Sequence, residues 1–224
     1  AVTAMPQPRT IHDFGGFPRA LFEVQYPAPG DPALASRVRH LLAPTEVIED
    51  TSQWGLDHGT WSVLKHVYPK SDVPVVQLAI DATKPLAGHY ELARRLAPLR
   101  DEGVMVVGSG NVVHNLATVT WEPGAAPHPW ATRFNELVRS WLLANHHAAL
   151  TDMSALGEDG ARSIPTPDHY LPLLYVISLQ QPEDRVAFVT DGIELGSISM
   201  MSVAVGVKRD QSKDAKDDVS MRHA

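Results

Sequence analysis

Apolar residues recur with a helical period at several places along the chain. In residues 31–42, Leu34, Val38, Leu41 and Leu42 share one face. Asp31 supplies an N-cap there and Pro32 a first helical residue, so a helix is predicted. Residues 84–99 repeat the pattern, with Pro85 in the first turn and Leu92, Leu96 and Leu99 facing inward. A third helix is expected over residues 130–145, where Trp130, Phe134, Leu137, Val138, Trp141 and Leu142 form a stripe that reads as core. Residues 54–68 place Asp57 and His58 before Gly59 and then run as a helix to Pro69. Residues 166–180 begin with Thr166 as a cap, Pro167 at the first position and Asp168 on the favourable end of the dipole. Pro172 removes a hydrogen-bond donor soon afterwards, so a distorted first turn is expected near His169.

Short β-branched runs fall between these helices. Buried strands are predicted at residues 75–81 and 104–107, and further strands at 2–5, 46–49, 186–189 and 198–205. Residues 10–30 mix aromatics with glycine and proline, and read as an ordered loop lining a pocket or interface. Residues 121–129 read as a proline-rich loop, and residues 146–163, polar and weakly patterned, as a surface loop. Helices and strands alternate, which gives an α/β class: a single-domain sandwich over residues 1–207, with a central, mostly parallel or mixed sheet and helices on both faces. Residues 208–224 are densely charged and are expected to form a disordered tail.

Composition narrows the function. The chain has 224 residues, 44% hydrophobic and 20% charged, and a formal net charge of −7. That balance, without a basic stripe, argues against nucleic acid, and no apolar run approaches the length needed to cross a bilayer. The chain has no cysteine, which excludes disulfides and thiolate metal sites and fits a reducing, cytoplasmic setting. A metal would therefore need histidine, carboxylate or water. Of the 11 histidines, four lie at turn-rich element ends: His12, His58, His114 and His169. His114 closes the stretch GVMVVGSGNVVHNL (103–116), where Gly108 and Gly110 permit a sharp turn after the strand. Histidine is suited both to proton transfer near neutral pH and to metal ligation, so these four are expected to converge on one cleft. For each taken alone, a ring bonded to backbone accounts for it equally well. His40, His66 and His89 fall within helices as solvated or packed residues, and His146 and His147 read as surface.

Several strings then fall into a recognisable order: IHDFGGFP (11–18), YPAPG (26–30), GLDHGTW (55–61), PVVQLAID (74–81), GSGNVVHNL (108–116) and PTPDHYLPLLY (165–175). Together they resemble the 4,5-DOPA-extradiol dioxygenase family of class III extradiol ring-cleaving dioxygenases, over residues 2–205. The resemblance implies a metal-dependent enzyme that inserts dioxygen into a catechol such as DOPA. It implies one divalent metal, zinc or non-haem Fe(II), and a monomer or homodimer. Residue by residue, it makes His114 the acid/base group beside the metal and His169 a metal ligand, with His114 also close enough to count in the metal set. His58 becomes a catalytic or substrate-pocket histidine, and His12 a second residue of that pocket.

Two features depart from the family pattern. Its HGSP-like and SAHW-like motifs, each with a metal-binding histidine, precede the point matching Ala1, so the chain reads as an N-terminally truncated form that is inactive on its own. Ile164 stands where a histidine or polar residue is expected, with consequences for substrate choice. The alternative reading is a non-catalytic binding protein on the same scaffold. A zinc hydrolase ranks last, because it needs a carboxylate base and only Asp13, Asp57 and Asp168 are placed to serve.

Overall fold

The computed structural model describes residues 1–122 and 124–206, so the expected tail at 208–224 lies outside the described residues. In chain order the elements are β1 (Val2–Thr3), α1 (Arg19–Phe22), α2 (Pro32–Leu42), β2 (Glu49–Asp50) and α3 (His58–Val67). Next come α4 (Leu86–Arg94), α5 (Pro98–Asp101), α6 (Pro129–Leu143), α7 (His147–Leu150), α8 (Met153–Ser163) and α9 (Leu171–Ile177). The chain ends in β3 (Val186–Thr190), β4 (Ile193–Glu194), β5 (Ile198–Ser199) and β6 (Ser202–Val205). The α/β class holds. Its described strands pair as three small sheets: β1 with β2 in parallel, and β3–β6 and β4–β5 antiparallel.

The capping chemistry read from the sequence is present where it mattered most. The Asp31 carboxylate accepts from the Leu34 amide at 2.9 Å and starts α2, whose Val38 and Leu42 are buried. Asp57 accepts from the Thr60 amide at 3.1 Å and starts α3, which makes His58 the first residue of a helix. In α6 the expected stripe is core: Phe134, Val138 and Leu142 are buried, with Trp130, Leu137 and Trp141 packed around them. Burying each such side chain contributes roughly 1.5–3 kcal/mol. Helix α9 lies between two clusters, giving Leu171, Leu174 and Ile177 to the one around α6, and Tyr175 to the one around α2 and α4. A third cluster, built on Tyr26, Leu56, Trp61 and Leu64, seats the loop between β1 and α2.

Some expectations need correction. Residues 146–163 are not a surface loop. They form α7 and α8, started by Asp152 accepting from the Ser154 amide, and they bury Leu150 and Leu156. A positive-φ glycine, Gly157, interrupts α8 and masked the helical period. His147 is half-buried: its Nε2–H donates to Gln180 at 3.0 Å, and its Nδ1 accepts from the Tyr90 hydroxyl at 2.9 Å. Residues 104–107 join no ladder among the described residues. Val104 and Val106 pack on the α2–α4 cluster, whereas Met105 and Val107 are 60% and 50% exposed. The run is therefore alternating, not buried on both faces. Residues 75–81 likewise hold a single bridge, Leu78 to Val2, and bond to the N-terminal strand through the Thr3 amide to the Gln77 carbonyl. The helix expected over 84–99 breaks after Arg94 and resumes as α5, and the strand expected over 198–205 divides into β5 and β6. No helix among the described residues is long and apolar enough to cross a membrane.

His89 ties these layers together. Its ring is fully buried, Nε2–H donates to the Asp81 carbonyl at 3.0 Å, and Nδ1 accepts from the Tyr175 hydroxyl at 3.0 Å. Burial holds the imidazole below its ordinary pKa, and it pushes the Tyr175 hydroxyl up to about 12. His147 is also lowered by burial. In the unfolded chain both rings take a proton near pH 6.5, whereas the native state resists it to lower pH. Stability should therefore be level above about pH 6.5 and fall as pH drops below it. Urea unfolding between pH 8 and pH 5 will show this fall. H89L should cost roughly 1–3 kcal/mol at pH 8, by leaving buried polar partners unpaired, and should flatten part of the acid-side loss.

Candidate active site

The site begins with a close approach of two backbones. Added to Gly110, a Cβ would overlap the His169 carbonyl oxygen; added to Gly108, it would overlap the Pro172 carbonyl. Only glycine lets the 108–111 segment lie this near the start of α9. The approach is then locked by hydrogen bonds. The Asn111 amide donates to the His169 carbonyl at 2.8 Å, and the Asn111 side chain donates to the Ser199 carbonyl at 2.7 Å. Val112 and Val113 are buried in the α6–α9 core. His114 follows, its amide donating to Ser163 at 2.9 Å while it bridges to Ile198 of β5. Asn115 caps a 3-10 turn (Leu116–Thr118) and reaches back to the Arg162 carbonyl.

This framework brings His114 and His169 face to face. Their rings are stacked at 3.5 Å with planes 7° apart. His169 ends a 3-10 turn (Pro167–His169) that precedes α9, the break that Pro172 led us to expect. Thr166 makes no side-chain cap of that turn. Burial, and then the neighbouring His169, hold the His114 pKa below the ordinary imidazole value, against the opposite pull of Asp168. Burial pushes the Asp168 carboxyl up, but its hydrogen bond with Thr166 and the nearby His169 outweigh this and leave it low. The Nδ1 of His169 lies 2.6 Å from Asp168 Oδ2, so this buried nitrogen faces a carboxylate.

These features bear on a metal. The side chains here whose ring nitrogens would hold a metal are His169 and His114, which lie stacked on one another. No group of three histidine or carboxylate side chains able to hold a metal occurs among the described residues. The described residues therefore do not by themselves complete the divalent centre that the resemblance implies.

His12 and His58 stand in an adjoining aromatic cluster. Phe14 is its hub, with ring centroids 6.0 Å from His12, 4.9 Å from Phe22, 5.6 Å from His58 and 6.0 Å from Trp61. His12 Nε2–H donates to the Val24 carbonyl at 2.9 Å, so this ring is tied to backbone and serves as wall. Where the two halves meet, a Cβ on Gly59 would lie 3.7 Å from Ser109 Oγ, next to the glycine turn. Asp13, which the sequence reading left to a disfavoured hydrolase, accepts from both the His58 amide and the His58 ring. Ile164 is buried in the α6–α9 core.

Residues 1–206 match the protein family described as the catalytic LigB subunit of aromatic ring-opening dioxygenase. The chain is 53% identical over 209 residues to 4,5-DOPA dioxygenase extradiol of Escherichia coli K12, a match covering 92% of this chain and 76% of that relative. It is 36% identical to the protein of the same name from Beta vulgaris, over 73% of this chain and 62% of that one. A crystal structure of an uncharacterized Escherichia coli K12 protein superposes with a TM-score of 0.78 at 48% identity, covering 90% of this chain and 78% of that chain.

The close approach is testable apart from any activity. G110A should force the 108–111 segment away from His169 and destabilise the fold by roughly 1–3 kcal/mol. G15A, at a position with open space around the added methyl, should change stability far less. Urea unfolding of the two variants gives the comparison, and equal stabilities would show that the contact is not tight.

Proposed function

Because the chain belongs to the family of the catalytic LigB subunit of aromatic ring-opening dioxygenases, we propose that it opens a catechol ring of the DOPA type by extradiol insertion of dioxygen. The observation that carries this reading is the His114–His169 stack beside a glycine turn, next to the aromatic cluster around Phe14. The names of the Escherichia coli and Beta vulgaris relatives support the substrate class.

The chain's own residues supply proton handling and shape. A catechol must shed hydroxyl protons before it can react as a catecholate, and a neutral imidazole accepts one at physiological pH. His114 fits that task, since burial keeps its pKa low and the ring neutral. The same group returns the proton to the opening product. His58, half-exposed at the start of α3, is a second acid/base group beside the aromatic cluster. His12, Phe14 and Trp61 form a flat-sided wall suited to an aromatic ring. A bound metal, zinc or non-haem Fe(II), would draw catechol and dioxygen together. His169 is the ligand this chain would offer it.

Two variants of the full-length protein separate the roles. H114A should lower catechol turnover by roughly 10²–10⁴ while leaving metal content nearly unchanged. H169A should lose metal first and activity as a consequence. Metal analysis alongside oxygen uptake distinguishes them. Equal metal loss in both variants would make His114 a ligand, and unchanged turnover in both would overturn the assignment.

A further inference from the structure

We propose that Asp13 is a positioning residue of this site: its carboxylate holds the His58 imidazole as the Nδ1–H tautomer and leaves Nε2 free to accept a proton. The inference rests on the reading of His58 as an acid/base group, and the geometry behind it is local and complete. A single oxygen, Asp13 Oδ1, lies 3.0 Å from the His58 amide nitrogen and 2.9 Å from His58 Nδ1. An amide nitrogen only donates, and an ionised carboxylate only accepts. Nδ1 must therefore carry its hydrogen when Asp13 is charged, and in the neutral ring Nε2 is then bare.

Three further observations show that this pair is held and not incidental. Asp57 caps α3, which fixes the backbone from which His58 projects. Phe14 meets the His58 ring edge to face, with planes 87° apart, and limits its rotation. Asp13 sits between His12 and Phe14, both of which pack against Trp61, so its own backbone is anchored from two sides. Burial pushes the Asp13 carboxyl up, but the hydrogen bonds from the His58 backbone and ring outweigh it and keep the carboxylate ionised. The side chain of Asp13 is 25% exposed and that of His58 49%, which leaves the imidazole open on its far edge. A carboxylate behind a histidine with an open far nitrogen is the arrangement that presets a base for proton transfer.

The test reads the tautomer directly, by nitrogen-15 NMR of histidine-labelled full-length protein, alongside catechol turnover. In the unsubstituted protein His58 should give the signature of Nδ1–H with bare Nε2, and H58Q assigns the signal. D13A should move His58 toward the Nε2–H form favoured by free imidazole and lower turnover roughly 10- to 100-fold. D13N should restore both, because the His58 amide keeps an asparagine oxygen in place, where it still accepts from Nδ1–H. This second variant holds the shape of the site, and the remaining histidine signals report that each protein is folded. An Nε2–H signature in the unsubstituted protein, or one unaltered by D13A, overturns the proposal. A changed tautomer with unchanged turnover also overturns it, while leaving the dioxygenase reading intact. Absence of catechol consumption by the unsubstituted protein, with the tautomer as expected, overturns instead the reading on which the proposal rests.

Discussion

Two glycines pressed against two carbonyl groups organise this molecule. Gly108 and Gly110 lie so near the backbone at His169 and Pro172 that no larger residue fits. The same proximity allows the Asn111 amide to reach the His169 carbonyl. That carbonyl belongs to the turn before α9, where Pro172 prevents the preceding residues from continuing as one regular helix. A proline break and a glycine turn thus meet, each leaving backbone groups that the other satisfies. His114 and His169 come together as a consequence, since each sits a few residues from this junction.

The meeting sets two imidazoles parallel at 3.5 Å. Burial lowers the His114 pKa, and the Asp168 carboxylate lies beside His169 Nδ1; under the proposed function the first ring carries protons and the second binds the metal. The aromatic cluster around Phe14 adds the wall, and it does so on a different core, the one built from Tyr26, Leu56, Trp61 and Leu64. The stacked histidines and the aromatic cluster therefore come from separately packed parts of the chain, joined where Gly59 faces Ser109.

Much of this was legible before any coordinates, for reasons that differ by residue. Asp31–Pro32 announces a helix start by local chemistry alone, and its cap is present, whereas the cap read at Thr166 is not formed and the one at Asp57 emerges only in the structure. The stripe along α6 repeats over four turns, long enough for its period to dominate. Gly157 breaks α8 with a left-handed residue, and the segment then reads as loop although Leu156 and Gly160 are buried on either side of the kink. Residues 104–107 read as doubly buried because Val, Met, Val and Val are all apolar, yet only alternate ones meet the core. Pattern cannot separate those cases when the outward face is also apolar. The four histidines were legible as candidates, since each lies in a turn-rich stretch of the sequence. Their pairing was not: His114 with His169, and His12 with His58 through Phe14, depend on contacts between distant segments that no local period encodes. The partnership of Asp13 with His58 was hidden for the same reason.

The asparagine that leaves the glycine turn also sets when the site can exist. Asn111 bonds to His169 through its amide and to Ser199 through its side chain, the latter a separation of 88 residues. Closing such spans costs chain entropy before any contact repays it, so these bonds form late relative to the helices. A chain emerging in order of synthesis can cap α2 and pack parts of its first clusters early, but the stacked histidines have no frame until β5 arrives. The stacked histidines thus depend on contacts that span nearly the whole described chain.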